Sequence, residues 1–189
     1  ITPDSRAGGM GDAGVGVTPD VNAQHWNPAK FVFMESDMGV ALSYSPWLRA
    51  LVNDINLAHL TGYKKIDDVQ AVSASLRYFS LGDIVFTSDY GEITGQQSPN
   101  EFAIDLGYSR LLSETFAGSV AIRYIRSDLT GGQSVGGVET HAGNSFAADV
   151  AFYWYNEFRK SRKDNAFSAG INIQNIGSKI SYTDGEVKD

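Results

Sequence analysis

The sequence predicts an all-β chain forming part of a transmembrane antiparallel outer-membrane β-barrel, and three observations carry that prediction. Large apolar residues alternate with small or polar ones: in Phe102-Ala103-Ile104-Asp105-Leu106-Gly107-Tyr108-Ser109 every even position is large and every odd one small or polar. Successive strand side chains point to opposite faces, so one face suits lipid and the other a polar or tightly packed interior. Connections alternate between long and short, with the short ones all on one side, as in barrels with short periplasmic turns and long external loops. Finally, Tyr44, Tyr63, Tyr78, Tyr108, Tyr124 and Trp154 fall near strand ends, where interfacial aromatic girdles form.

Residues 1–36 show no period-two run, and Gly8, Gly9, Gly11, Gly14 and Gly16 crowd their start, so they read as an irregular N-terminal hatch segment. The barrel wall occupies 37–189. Its first strand runs from about Met38 to Tyr44, with Met38, Val40, Leu42 and Tyr44 on one face. A loop with Pro46, Trp47 and Leu48 leads to a second strand, about Ile55 to Tyr63, and a short charged turn, Lys64 to Asp68, to a third. That strand, about Gln70 to Phe79, places Val72, Ala74, Leu76 and Tyr78 outward and Ser73, Ser75 and Arg77 inward. The long polar connection Ser80 to Pro99 could extend a hairpin through Asp83 to Thr87 and Glu92 to Thr94, around Ser88-Asp89-Tyr90-Gly91. Strand four is the run quoted above, and a tight turn near Ser113 and Glu114 follows.

Strand five directs Phe116, Val120, Ile122 and Tyr124 outward and Ala117, Ser119, Ala121 and Arg123 inward. The Gly-rich loop Ser127 to Gly143 lacks large aromatics with which to build a core. Strand six sends Phe146, Ala148, Val150, Phe152 and Trp154 outward and Asp149 inward. After a basic turn around Arg159, Lys160, Arg162 and Lys163, strand seven begins near Ala166 and is expected to continue through Ile180 and Tyr182. Seven strands cannot close a bacterial barrel, which needs an even number of at least about eight, so the sequence reads as the N-terminal part of a longer chain. A start at Ile1 without Met fits a processed or truncated product.

Composition narrows the alternatives. With 42% hydrophobic and 12% aromatic residues the chain is not disordered, and it has no run of about 18 apolar residues that would form a membrane helix. A formal charge of −7 argues against nucleic acid as a partner, because phosphate binding needs a basic surface. A soluble β-sandwich would also alternate, but with its large residues on the inner face. Here the minor face is Ala, Ser and Gly with an occasional Asp or Arg, too small and polar for a soluble core.

Several segments resemble the PorV family of outer-membrane proteins from the type IX secretion system. They are Ser5-Arg6-Ala7-Gly8-Gly9-Met10-Gly11-Asp12-Ala13-Gly14, Asn22-Ala23-Gln24-His25-Trp26-Asn27-Pro28-Ala29, the stretch Ser43 to Leu57, and Ser75-Leu76-Arg77-Tyr78-Phe79-Ser80. Arg123 to Leu129 and Asn175 to Tyr182 complete the match, while the Asn-Pro-Ala element alone indicates the wider FadL-like barrels. The resemblance implies a FadL-like barrel of about 14 strands with an N-terminal hatch, of which about half is present. It implies association with the SprA (Sov) translocon and transfer of cargo, recognised by its C-terminal signal domain, to the PorU sortase complex for attachment to lipopolysaccharide in the bacterial outer membrane. A lipid A O-deacylase role, under the name LptO, has also been attached to such proteins; a channel for hydrophobic small molecules is the FadL-like alternative.

Candidate sites follow. Gly9-Met10-Gly11-Asp12-Ala13-Gly14 fits the GxGxxG string, but no apolar strand precedes it and no dinucleotide-type acid follows. Gly9, Gly11 and Gly14, with Asn27 and Pro28, are instead expected to let the hatch turn tightly and pass close to the wall. Gly132-Gln133-Ser134-Val135-Gly136 matches GxSxG, but inside a loop and not at a strand-to-helix elbow, despite Glu139 and His141 nearby. His25, His59 and His141 are scattered, without ligand spacing, so no metal, cofactor or catalytic residue is assigned. Arg77, Asp105, Arg123 and Asp149 share the inward register and should pair across neighbouring strands or touch the hatch, unless they line a solvated lumen. Trp47, Leu48 and Leu51, apolar in an outward-facing loop, are candidates for partner binding or for packing over the barrel mouth.

Overall fold

A computed structural model describes residues 2–51, 54–87, 90–132, 139–160 and 163–183. Seven strands form one antiparallel sheet curled into a half-barrel. They are β1 (Met38–Pro46), β2 (Ile55–Asp67), β3 (Gln70–Leu81), β6 (Asn100–Ser113), β7 (Phe116–Asp128), β8 (Gly143–Lys160) and β9 (Lys163–Gly177), in that spatial order. Between β3 and β6 the chain makes a separate hairpin, β4 (Ile84–Thr87) with β5 (Ile93–Gln97). The expected extension of that connection is therefore present, although its tip residues 88–89 lie outside the described residues, as do 161–162 in the basic turn.

Local chemistry accounts for the turns and register. At the β2–β3 turn the Asp67 carboxylate accepts hydrogen bonds from the Val69 N–H at 2.9 Å and from Gln70 Nε2 at 2.7 Å, an aspartate holding its own turn. Alternation then locks the pairing, because a slip of one residue would exchange the two faces. The large face looks away from the rest of the chain: Val40 is 77% exposed, Ile122 63% and Leu106 54%. Ser73 and Ser75 on the opposite face are only 6% exposed.

Three expectations are corrected. Tyr63 does not join an outer girdle. It occupies an inward position of β2, stacks on Phe31 with ring centroids 4.8 Å apart, and donates to the Ser36 carbonyl at 2.9 Å. Strand seven does not run on to Ile180 and Tyr182; β9 stops at Gly177, and beyond it the chain only follows the start of β8 loosely, with the Tyr182 carbonyl accepting from the His141 N–H at 2.9 Å. The connection Ser80 to Pro99 is not uniformly polar, since Ile84, Val85, Phe86, Tyr90 and Ile93 are all exposed there.

Residues 2–36 lie against the small-residue face. The segment contains α1 (Ser5–Gly9), α2 (Ala23–Trp26) and a 3-10 helix, Pro28–Phe33. The Asp4 carboxylate caps α1 by accepting from the Ala7 N–H at 2.8 Å, and Asn27 caps the 3-10 helix by accepting from the Ala29 N–H at 3.1 Å, with Pro28 in its first turn. The core is the seam between segment and sheet: Ala23, Ala29, Phe31 and Val32 pack with Tyr63, Ala71, Ala117 and Tyr153. Small inward residues are what let a second layer of chain approach this closely.

The nearest approach falls at Gly170 of β9. A Cβ there would overlap the Val15 carbonyl and come within 2.7 Å of Asn27 Nδ2. Gly170→Ala should therefore loosen residues 15–27 at a cost of about 1–3 kcal/mol, read as faster hydrogen exchange there while β2–β7 exchange as before.

Candidate functional site

A ladder of ionic and hydrogen-bonding groups crosses the inner face, and strand register builds it. Asp105 of β6 stands directly opposite Arg123 of β7 and Ser75 of β3, and Asp149 of β8 lies one inward step diagonally from Arg123. The Arg123 guanidinium donates from Nε to Asp105, from Nη2 to Asp149 Oδ2 at 2.8 Å and from Nη1 to Asn175 Oδ1 at 2.6 Å. Ser75 Oγ donates to Asp105 Oδ2 at 2.9 Å, and Arg77 Nη2 lies 3.9 Å from the same oxygen.

Asp105, Arg123 and Asp149 are all at least 95% buried, so this part of the ladder is not a solvated lumen wall. Ions removed from water this completely persist only when each finds several partners, and these do. Asp149 Oδ1 additionally accepts the Asn175 N–H at 2.8 Å, where β8 and β9 slip register and Asn175 adopts φ +61°. A carboxylate thus satisfies a backbone donor that the bulge takes out of the ladder. Two cations and two anions cancel, and their donors and acceptors are turned on one another. The arrangement ties neighbouring strands to one another through their side chains.

The N-terminal segment joins the ladder through His25, whose Nδ1 lies 2.9 Å from Arg77 Nη1. Five further hydrogen bonds hold this part of the segment to the sheet. Asn27 Nδ2 donates to the Phe152 carbonyl at 2.9 Å, Ser109 Oγ to the Pro28 carbonyl at 2.7 Å, and Ser73 Oγ to Gln24 Oε1 at 2.5 Å. Asn172 Nδ2 donates to the Trp26 carbonyl at 2.8 Å and Gln174 Nε2 to the His25 carbonyl at 2.7 Å. Asn27 and Pro28 are candidates from the sequence, whereas Gln24, Asn172 and Gln174 emerge only with the structure. The last two continue the inward register of β9, and that register was the available signal.

The glycines divide by role. Gly11 takes φ +72° just after α1, where a left-handed residue reverses the chain. Gly14 makes room for the Trp26 ring, not for the wall; Gly9 faces open space; Gly16 and Gly170 form the actual close approach between segment and sheet. His25 and His59 come together with ring centroids 6.3 Å apart, away from His141, and no cluster of three or more metal-ligating side chains occurs among the described residues. Residues 133–138, including Ser134 of the GxSxG string, lie outside the described residues. Lys30 is fully buried with Nζ on the Gly14 carbonyl at 2.8 Å, and burial lowers its pKa to about 8.

On the side of the long connections, Trp47, Leu48 and Leu51 sit between β1 and β2, 45%, 49% and 81% exposed, with Leu48 at φ +50°. Beneath them on the inner face is a depression of about 320 Å³, bordered by Leu57, Phe79 and Glu101 and floored by His25, Arg77 and Arg123.

A curled antiparallel sheet with its large residues outward, its ions paired on the inner face and an N-terminal segment held against that face belongs to the β-barrel class. The particular family is shown by the whole sequence: the profile of "Type IX secretion system protein PorV" matches residues 1–189, and the chain belongs to that family. It is thus a component of the type IX secretion system. No curated protein matches the chain significantly.

Two predictions follow from the ladder. Asp105→Ala leaves Arg123 and Arg77 short of an anion and should cost about 3 kcal/mol, read as a lower temperature for loss of the folded band on unheated gels. His25 has its pKa lowered from 6.5 to about 3, first by burial and then by the Arg77 guanidinium. Its folded pKa lies below its unfolded one, so its contribution is complete above about pH 6.5 and is lost as pH falls toward 3, with a limiting slope of about 1.4 kcal/mol per pH unit. Thermal midpoints across that window should fall less steeply for His25→Gln than for the parent protein.

Proposed function

We propose that this protein sits in the bacterial outer membrane, binds the SprA (Sov) translocon, and passes cargo bearing a C-terminal signal domain to the PorU sortase complex. The observation that carries the reading is the family match over the whole chain. The membrane setting is supported by the exposed apolar face, whose residues Val40, Leu42, Leu106 and Ile122 would face hydrocarbon. On this reading the short turns are periplasmic, the N-terminal segment is a hatch, and the long connections are external.

Protein docking is supported by apolar side chains concentrated in those external connections. Trp47, Leu48 and Leu51 lie in the first, and Ile84, Val85, Phe86 and Tyr90 in the second, where Tyr90 is 95% exposed. A two-stranded hairpin alone in water is at best marginally stable, which suits β4 and β5 to gaining order on a partner. The inner face, crossed by paired ions instead of a continuous apolar path, favours this role over a channel for hydrophobic molecules.

The test is copurification from native membranes with the full-length protein. Trp47→Asp combined with Leu51→Asp should reduce recovery of the translocon about tenfold or more while leaving the barrel folded, because central aromatic anchors commonly contribute about 2 kcal/mol each. Undiminished recovery of SprA would remove this loop from the proposed interface.

A further inference from the structure

The exposed face of the sheet is not uniform. Gly62 of β2 and Ala74 of β3 pair directly in the row Val40, Gly62, Ala74, Leu106, where small side chains lie between large ones on β1 and β6. The result is a depression of about 650 Å³ on the outer surface, floored by Gly62 and Ala74 and walled by Val40, Leu60, Leu76 and Leu106.

Lys64 closes this groove at its short-turn end. Arg110 of β6 takes the same outward face on the far side of β3, opposite Gln70, whereas Lys64 is opposite Val72. Two strand spacings and an offset of two residues put their Cα atoms roughly 10–12 Å apart, within converging reach of both long side chains. Both are exposed, and neither takes part in an ion pair among the described residues. Arg77 and Arg123, by contrast, take the inward face and pair with Asp105 and Asp149.

We infer that this groove seats an anionic phospholipid, one acyl chain lying along Gly62 and Ala74 and the phosphate held between Lys64 and Arg110. The inference rests on the membrane reading above. Basic side chains at a membrane interface lay their methylene stems along apolar surface and keep the charged head at headgroup level, and both residues stand at the end of the apolar stretch where that level falls. Charge complementarity selects the occupant: a neutral lipid would fill the groove but leave both cations unmatched.

The test uses the full-length protein in nanodiscs of phosphatidylcholine with a minor fraction of phosphatidylglycerol, followed by native mass spectrometry of retained lipid. Heat-dependent gel mobility checks separately that the protein is an inserted barrel; if that fails, the membrane reading fails and not the lipid seat alone. The parent protein should retain phosphatidylglycerol preferentially, and the preference should fall about fivefold for each of Lys64→Gln and Arg110→Gln. Ala74→Leu, which fills the floor from an exposed position, should reduce retention of both lipids without altering gel mobility. Equal retention of the two lipids by the parent protein, or unchanged preference in the doubly substituted protein, would overturn the inference. So would labelling of Ala74→Cys that is blocked only when the translocon is present, because the groove would then belong to a protein partner.

Discussion

The arrangement turns on one guanidinium buried between two carboxylates. Arg123, at 5% exposure, is flanked by Asp105 and Asp149, and Asn175 takes its remaining end. Those contacts tie β6, β7, β8 and β9 together through side chains, in addition to the backbone ladder. Ser75 and Arg77 carry the same network to β3, and His25 carries it to the N-terminal segment. An ion removed from water must be compensated in full, so each partner has little freedom in register, and the bulge at Asp149 is held to the same requirement.

Small residues and charges work together on that face. Ala71, Ala103, Ala117, Ala121 and Ala151 make the surface shallow enough for a second layer of chain, and the hydroxyls and amides of Ser73, Ser109, Asn172 and Gln174 meet the segment's polar groups. Short helices leave many backbone carbonyls without internal partners, and the wall supplies donors to several of them. Segment and sheet are complementary in shape through glycine at 16 and 170, and in hydrogen bonding through the inward register of β9.

The opposite face has a different logic. Its large side chains bury little against the rest of the chain, so the surface is stable only where something apolar covers it. Membership of the PorV family gives the exposed apolar loops a context, because a secretion component must present surface to other proteins. Within that face Gly62 and Ala74 pair to form a dip, with Lys64 at its short-turn end.

Alternation alone determined the seven wall strands, their faces and the inward placement of Arg77, Asp105, Arg123 and Asp149, because a period of two is written directly in the residues. Several strands extend past their apolar runs, since polar strand ends such as Glu157 and Arg126 carry no apolar signal while the backbone ladder continues through them, whereas the last strand ends short of the apolar Ile180 and Tyr182. Which inward charges meet, that Tyr63 turns in to stack on Phe31, that β9 stops at Gly177, and that Gly16 rather than Gly14 nears the wall were decided only by tertiary structure. These facts depend on register between strands distant in sequence and on a second layer of chain, and no local pattern encodes the position of one layer over another.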